Sequence, residues 1–174
     1  MGYRLVPLLL CVVVLGACGK EIGDACITGT DCSPNGDRLC DPASIGGYCT
    51  ILGCDYTTCP DEAACIRFFT GNFENKTCDP AKTADACRAP NATDCCSLDE
   101  LCAIEGATGE IKGHCVARSS EIRYCMRTCD SDSDCRDNYE CRDLAKMKTH
   151  GGEPVLAPGS VVDERSPKFC AAAP

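Results

Sequence analysis

The chain lacks tryptophan and has only two histidines among its 174 residues. It also lacks an excess of basic residues, since 26 Asp and Glu stand against 17 Lys and Arg, a net charge of −9. A protein that binds nucleic acid needs a basic face, so the composition predicts no nucleic-acid partner. The shortage of histidine leaves few side chains for acid–base catalysis or for binding zinc.

Residues that build a hydrophobic core are scarce after residue 17. Leu, Ile, Val and Phe number 22 of the 157 residues from Cys18 onward, which with a high net charge would indicate disorder. The same stretch without Cys18 contains 18 cysteines, above the ~8–10% that is typical of a disulfide scaffold. Cross-links can replace a large core in a small exported protein. The sequence therefore predicts a small disulfide-rich fold with short hairpins, helical turns and long loops.

One apolar run is present, from Leu5 to Leu15, interrupted only by Pro7 and preceded by Arg4. A helix that crosses a bilayer needs about 20 apolar residues, so this run is too short. Its length and the basic residue before it are typical of a secretory signal peptide. We predict that residues 1–17 form a cleaved signal.

The end of the signal, Leu15-Gly16-Ala17-Cys18, resembles the lipobox of bacterial lipoproteins, with an aliphatic residue, two small residues and a cysteine. The resemblance implies that the Cys18 thiol carries diacylglycerol and becomes the first residue after cleavage. An ordinary cleaved signal that contains a cysteine is the alternative. The resemblance also implies a protein anchored to a membrane outside the cytoplasm, and Gly19 after the lipidated residue favours the outer membrane or cell surface.

The remaining cysteines recur in two copies of one pattern. The first copy contains Thr30-Asp31-Cys32, Asp37-Arg38-Leu39-Cys40 and Ile45-Gly46-Gly47-Tyr48-Cys49. The second contains Thr93-Asp94-Cys95, Asp99-Glu100-Leu101-Cys102 and Ile111-Lys112-Gly113-His114-Cys115. We predict two tandem eight-cysteine modules, at 26–78 and 87–170, with a linker at 79–86 and a lipidated tether at 18–25. This arrangement is similar to that of cysteine-rich bacterial lipoproteins, a family that implies a location and no known activity.

Two eight-cysteine modules leave one further pair of cysteines, and eight cysteines allow 105 connectivities. We predict alternating bridges: Cys26–Cys40, Cys32–Cys49, Cys54–Cys65, Cys59–Cys78, Cys87–Cys102, Cys95–Cys115, Cys129–Cys141, Cys135–Cys170 and, as the further pair, Cys96–Cys125. An alternative alignment equates Tyr48-Cys49 with Tyr124-Cys125 and leaves Cys87 and Cys95 as the further pair.

Local patterns predict few regular elements. Residues 66–73 are expected to form a small hairpin around a turn at 70–72, and residues 95–103 and 142–148 to form helical turns. Segment 149–168 is rich in Pro and Gly and lacks cysteine, which predicts a long mobile loop.

The alternating acids Asp130, Asp132 and Asp134 are the one candidate metal site, because they resemble the start of a calcium-binding EF-hand loop. Cys135 stands where that loop needs glycine, and Cys141 where it needs glutamate. Solvated loop acids are the simpler interpretation. We expect no cofactor.

The sequence shows no motif of a hydrolase, a metalloprotease or a phosphate-binding loop, so we expect no enzymatic activity. The leading interpretation is a non-enzymatic envelope protein that binds or adheres through its loops to an unknown protein or glycan, or has a structural role. A protease inhibitor outside the cytoplasm, with Lys146–Lys148 as bait, is the first alternative. A calcium-dependent adhesin is the second.

Overall fold

A computed structural model describes residues 19–73, 75–82, 84–89 and 91–174. The predicted signal peptide and the lipobox, Leu15 to Cys18, lie outside these residues. The described chain contains ten strands and three α-helices, in the order α1 (Gly29–Cys32), β1 (Leu39–Asp41), β2 (Tyr48–Thr50), β3 (Ala63–Phe69), β4 (Thr77–Cys78), α2 (Ala84–Cys87), β5 (Glu100–Ala103), β6 (Gly113–Ala117), β7 (Glu121–Arg127), β8 (Tyr139–Arg142), α3 (Leu144–His150), β9 (Glu153–Pro154) and β10 (Phe169–Ala172).

These strands form four small antiparallel sheets, ordered β1-β2, β10-β8, β7-β3-β9 and β4-β6-β5. Nine disulfide bonds connect them. The prediction of a small disulfide-rich fold with short hairpins and few helices is confirmed. So many disulfides indicate an oxidising compartment outside the cytoplasm. The α-helices in the described part of the chain have four to seven residues, two 3₁₀ helices have three, and none of them could cross a bilayer.

Eight of the nine disulfides group sixteen cysteines into four quartets that share one connectivity. In each quartet the first cysteine bonds to the third and the second bonds to the fourth. The first quartet is Cys26, Cys32, Cys40 and Cys49; the second is Cys54, Cys59, Cys65 and Cys125; the third is Cys78, Cys96, Cys102 and Cys115; the fourth is Cys129, Cys135, Cys141 and Cys170.

The third and fourth cysteines of every quartet are directly opposed on two antiparallel strands. Opposed residues of an antiparallel pair point to the same face of the sheet, so the two bridges of a quartet lie side by side on one face. In the last three quartets five residues separate the second cysteine from the third, and a turn closes within them. The carbonyl oxygens of Pro60, Ser97 and Arg136 accept the N–H of the residue three positions later.

Five of the predicted bridges are present in the structure: Cys26–Cys40, Cys32–Cys49, Cys54–Cys65, Cys129–Cys141 and Cys135–Cys170. Four predicted bridges are wrong: Cys59–Cys78, Cys87–Cys102, Cys95–Cys115 and Cys96–Cys125. The structure has instead Cys59–Cys125, Cys78–Cys102, Cys87–Cys95 and Cys96–Cys115. The physical reason is the long-range pairing of β3 with β7, which places Cys65 opposite Cys125.

The third quartet is inserted into the second, between Cys65 and Cys125. The bridges Cys59–Cys125 and Cys78–Cys102 consequently cross the boundary predicted between the two modules. The further pair is Cys87–Cys95, the two cysteines that the alternative alignment left over. The tandem repeat in the sequence therefore corresponds to repeated hairpins that are interleaved along the chain.

Two local predictions are wrong because distant strands pair more extensively than neighbouring residues do. β3 pairs with β7 along its whole length, from Ala63 opposite Arg127 to Phe69 opposite Glu121, so residues 66–73 form no hairpin of their own. The segment 95–103 contains β5 and not a helical turn. The helical turn predicted over 142–148 is present as α3.

The prediction of a mobile loop over 149–168 is wrong at its start. Residues 151–154 are buried, and β9 pairs with β3. Arg142, also buried, fixes the chain after α3 by donating from Nη1 to the carbonyl oxygens of His150, at 2.7 Å, and Gly151, at 2.9 Å. The guanidinium thus satisfies carbonyls that the end of a helix leaves without partners.

The predicted tether is folded against the first quartet. Ile22 is fully buried, in a core that also includes Tyr48, Ile66, Met147 and Phe169. Gly23 donates its N–H to the carbonyl oxygen of Cys49 at 2.9 Å, and Cys49 donates its own N–H to Asp24 O at 2.9 Å. Cys49 belongs to β2, so the segment that begins at residue 19 is fixed to a strand of the fold.

Arg136 joins the fourth quartet to the first. Its Nη2 donates to the carbonyl oxygen of Ile45 at 2.9 Å and also to that of Gly47. The guanidinium carbon lies 4.1 Å from the ring centroid of Tyr139 and 5.5 Å from that of Tyr48. Cation–π contact and two carbonyl acceptors together hold the quartets in one orientation.

Candidate binding cleft

The predicted calcium ligands do not converge on one point. One carboxylate oxygen of Asp134 accepts the N–H groups of Asp130 and Ser131, each at 2.9 Å. Asp132 accepts the N–H of Cys141 and the ammonium of Lys146, each at 2.8 Å. Among the described residues, the only groups of three or more potential ligand atoms within 4.8 Å of one another are sets of cysteines, all in disulfides. The arrangement does not support the calcium prediction.

The aspartate before the second cysteine has a structural role that recurs in the first quartet. Asp31 accepts the N–H groups of Ile27 at 2.8 Å and Thr28 at 2.9 Å, just as Asp134 does in the fourth quartet. These backbone donors lower the pKa of both carboxyls, chiefly through the N–H of Ile27 for Asp31 and of Ser131 for Asp134. Each carboxylate thus closes the loop between the first two cysteines of its quartet.

We expect the double substitution Asp31→Asn and Asp134→Asn to lower stability at neutral pH and to flatten its loss in acid. A carboxyl whose pKa is lower in the folded state stabilises the fold above its unfolded pKa, and this stabilisation disappears as the pH falls through the folded pKa. Guanidinium unfolding followed by circular dichroism, near neutral pH and in acid, measures both effects. The control Asp61→Asn, at an exposed aspartate, should retain the pH dependence of the unsubstituted protein. An unchanged pH dependence in the double variant would contradict this role.

The candidate site is a cleft with a volume of about 660 Å³. It is lined by residues of the third quartet between 94 and 102, by segment 154–162, and by side chains of β3, β7 and β9. Arg67, Arg123 and Glu153 are among the charged side chains that line it.

Glu153, only 2% exposed, forms a buried ion pair in the cleft. Its Oε1 accepts from Arg67 Nε at 2.6 Å and Nη2 at 2.5 Å, and its Oε2 accepts the N–H of Ile104 at 2.9 Å. Arg67 and Glu153 are opposed residues of β3 and β9, so strand pairing brings the two side chains together. Because Ile104 directly follows β5, the carboxylate also joins two sheets.

Arg67 is directly opposite Arg123 on β7, which places two positive charges side by side. Like charges opposed across strands are destabilising unless counter-charges offset them. Arg123 is paired with Glu121 at 2.7 Å and with Asp55 at 3.3 Å, as Arg67 is with Glu153. Both guanidinium groups therefore have carboxylate partners, which hold them in defined positions at the cleft.

Exposed aliphatic side chains accompany these ion pairs. Leu98 is 79% exposed and Val161 is 37% exposed, and Leu101, Val155 and Leu156 also line the cleft. The cysteines that line it are all in disulfides, and among the described residues neither His114 nor His150 lines it. In a cleft with such a lining, apolar contacts can supply affinity for a ligand and fixed polar groups can orient it.

The predicted protease bait, Lys146–Lys148, lies within α3, and Lys146 is paired with Asp132 at 2.8 Å. These residues form a helix and not an exposed extended loop, so the structure lends the bait no support. Sequence reasoning missed Arg67, Glu153 and the aliphatic residues of 154–162. The repeated five-residue spacing between second and third cysteines could have indicated the quartets, but no local pattern indicates the cleft.

Comparison of the chain with protein-family models, with curated proteins and with solved structures gives no match.

Proposed function

We propose that this chain is a non-enzymatic binding protein outside the cytoplasm, anchored to a membrane by lipid on Cys18, and that its cleft contacts a protein or glycan partner. The observation that carries the proposal is the covalent framework. Three disulfides, Cys78–Cys102, Cys87–Cys95 and Cys96–Cys115, fix the third-quartet wall of the cleft before any ligand arrives. A preorganised site loses less conformational entropy on binding than a flexible one does.

The disulfide pairing also supports the lipid anchor. The nine bridges use all eighteen cysteines between residues 26 and 170. Cys18 therefore has no partner among them, and Cys11 would be removed with the signal peptide. A thiol at the cleavage site of a lipobox, left out of the disulfide framework, is the group that a lipid would modify.

Labelled palmitate should be incorporated into the chain when it is expressed in a bacterial host, and the protein should fractionate with membranes. The variant Cys18→Ser should take up no label, because it lacks the thiol that carries diacylglycerol. It should also retain the apolar signal segment, since cleavage at a lipobox requires that cysteine, so fractionation with membranes is interpreted for the unsubstituted protein alone. Alkylation without reductant should leave the unsubstituted mature protein unmodified. Label on the Cys18→Ser variant, or none on the unsubstituted protein, would contradict the lipid anchor.

The cleft is tested by a photo-crosslinking amino acid at Val161, which lines the cleft, in cells of the host that produces the protein. We expect a discrete adduct with a cell-surface protein or glycan, because Val161 lies among exposed aliphatic residues and is 37% exposed. The matched control places the same amino acid at Tyr56, which is 50% exposed and does not line the cleft. Adducts of the same size and yield at both positions, or none at Val161, would contradict binding at the cleft.

A further inference from the structure

The chain has no free spacer between the proposed lipid and the folded protein. Gly19, the first described residue, lies against the first quartet, since a Cβ atom built on it would be 2.8 Å from the carbonyl oxygen of Cys32. Lys20 is held as well, because Arg38 donates to its carbonyl oxygen. Consecutive Cα atoms are about 3.8 Å apart, so a lipid attached one residue before Gly19 would be held close to this part of the first quartet.

We propose that the first quartet lies directly on the bilayer surface, with Ile27 and Ile45 in contact with lipid. This inference rests on the proposed lipidation of Cys18 and adds the face that the protein presents to the membrane. An acyl chain attached within one residue of the fold cannot hold the protein at a distance. The surface around residues 19, 32 and 33 must therefore be close to the lipid headgroups.

Two aliphatic side chains of the first quartet are unusually exposed. Ile27 is 89% exposed and Ile45 is 52% exposed. A backbone hydrogen bond connects the two segments: Cys26 donates its N–H to the carbonyl oxygen of Gly46 at 3.2 Å. Ile27 follows Cys26 in the sequence and Ile45 precedes Gly46, so each isoleucine is next to one member of this pair. Ile27 also precedes the cap of α1, the helix that ends at Cys32 beside Gly19. Large aliphatic residues gain free energy when a membrane interface removes them from water.

The charges on segment 19–41 indicate whether electrostatic attraction to anionic lipid contributes to the membrane contact. Segment 19–41 has two basic residues, Lys20 and Arg38, against five acidic ones, Glu21, Asp24, Asp31, Asp37 and Asp41. A net negative surface is repelled by anionic lipids. The contact must therefore depend on the acyl chains and on apolar insertion, and anionic lipid should weaken it or leave it unchanged.

This orientation leaves the cleft accessible. None of the described residues from 19 to 49 lines the cleft, which is formed by the second and third quartets and by segment 154–162. A partner could therefore bind while the first quartet contacts lipid.

The absence of tryptophan from the chain permits a direct test. The acylated full chain is prepared with Ile27→Trp or, as the matched control, with Leu98→Trp, which replaces another exposed aliphatic residue in the third quartet. Each variant is reconstituted on zwitterionic phosphatidylcholine vesicles, with and without lipids brominated along their acyl chains. We expect the tryptophan emission of the Ile27→Trp variant to shift to shorter wavelength and to be quenched by brominated lipid, and that of the Leu98→Trp variant to do neither.

Flotation of both variants with the vesicles separates the two levels of the proposal. If the proteins float but the tryptophan at position 27 is not quenched, or both tryptophans are quenched alike, the orientation is overturned while the lipid anchor stands. If neither variant floats, the lipid anchor fails, and the inference that rests on it fails too. Stronger quenching at position 27 when anionic lipid is added would overturn the apolar nature of the contact.

Discussion

Replacing Cys59 and Cys125 together by alanine should lower the guanidinium midpoint of the oxidised protein more than replacing Cys87 and Cys95 together. The first bridge joins residues 66 apart in sequence, and the second joins residues 8 apart. A chain-entropy relation gives about 4 kcal/mol for the longer loop and about 2.5 kcal/mol for the shorter one. Cys125 is also fully buried, so its removal disturbs the packing beneath β3 and β7.

Other bridges enclosed by the longer loop shorten it in effect, so about 4 kcal/mol is an upper bound for its entropic part. The burial of Cys125 acts in the opposite direction and preserves the order of the two variants. Circular dichroism in guanidinium, without reductant, measures both midpoints. Equal losses in the two variants would contradict a central role in stability for the bridge between Cys59 and Cys125.

Arg67→Met should destabilise the oxidised protein by about 3 kcal/mol, because it leaves the carboxylate of Glu153 buried with only the N–H of Ile104 as a partner. Methionine retains much of the length of arginine and removes its charge. The matched control is Arg118→Met, at an exposed arginine that donates to the carbonyl oxygen of Leu98, where the loss should be small.

A second substitution distinguishes the lost ion pair from a packing defect. Glu153→Gln added to Arg67→Met should recover part of the stability, because glutamine removes the unpaired charge and keeps a side-chain oxygen that accepts the N–H of Ile104. Guanidinium midpoints of the single and double variants provide the comparison. A double variant less stable than Arg67→Met alone would show that packing, and not the unpaired carboxylate, accounts for the loss.

Local spacing predicted Cys54–Cys65 and Cys129–Cys141, which enclose short loops, and also Cys135–Cys170, which closes over 35 residues. It failed for every bridge of the third quartet, for the short Cys87–Cys95, and for Cys59–Cys125. The pairing of β3 with β7 joins segments that are separated by the whole third quartet, and the sequence contains no local mark of it.

The alignment of Thr93-Asp94-Cys95 with Thr30-Asp31-Cys32 caused an error of one residue. Cys96, and not Cys95, is the second cysteine of the third quartet. Cys95 instead occupies the position before it, where Asp31 closes the loop of the first quartet. A covalent bond to Cys87 stands there in place of a carboxylate that accepts backbone hydrogen bonds.

The cleft could not be predicted from the sequence, because residues distant in sequence form it. Its lining comes from segments around Leu98 and Val161 that lie far apart in the chain. Glu153 follows Gly151 and Gly152, and that composition is typical of a solvated turn, yet the glutamate is 2% exposed. Only the pairing of β9 with β3 brings it to Arg67, and this pairing extends over two residues.

The insertion of the third quartet into the second also affects the order in which correct disulfide partners become available during export. A chain that enters an oxidising compartment from its amino terminus presents Cys59 long before its partner Cys125, which is 66 residues later. During that interval Cys54 can bond to Cys65, and Cys78, Cys87, Cys95 and Cys96 arrive as incorrect partners for the waiting thiol. Cys59 therefore has the longest interval in which an incorrect bond can form, and such a bond can be corrected by thiol–disulfide exchange once Cys125 has emerged.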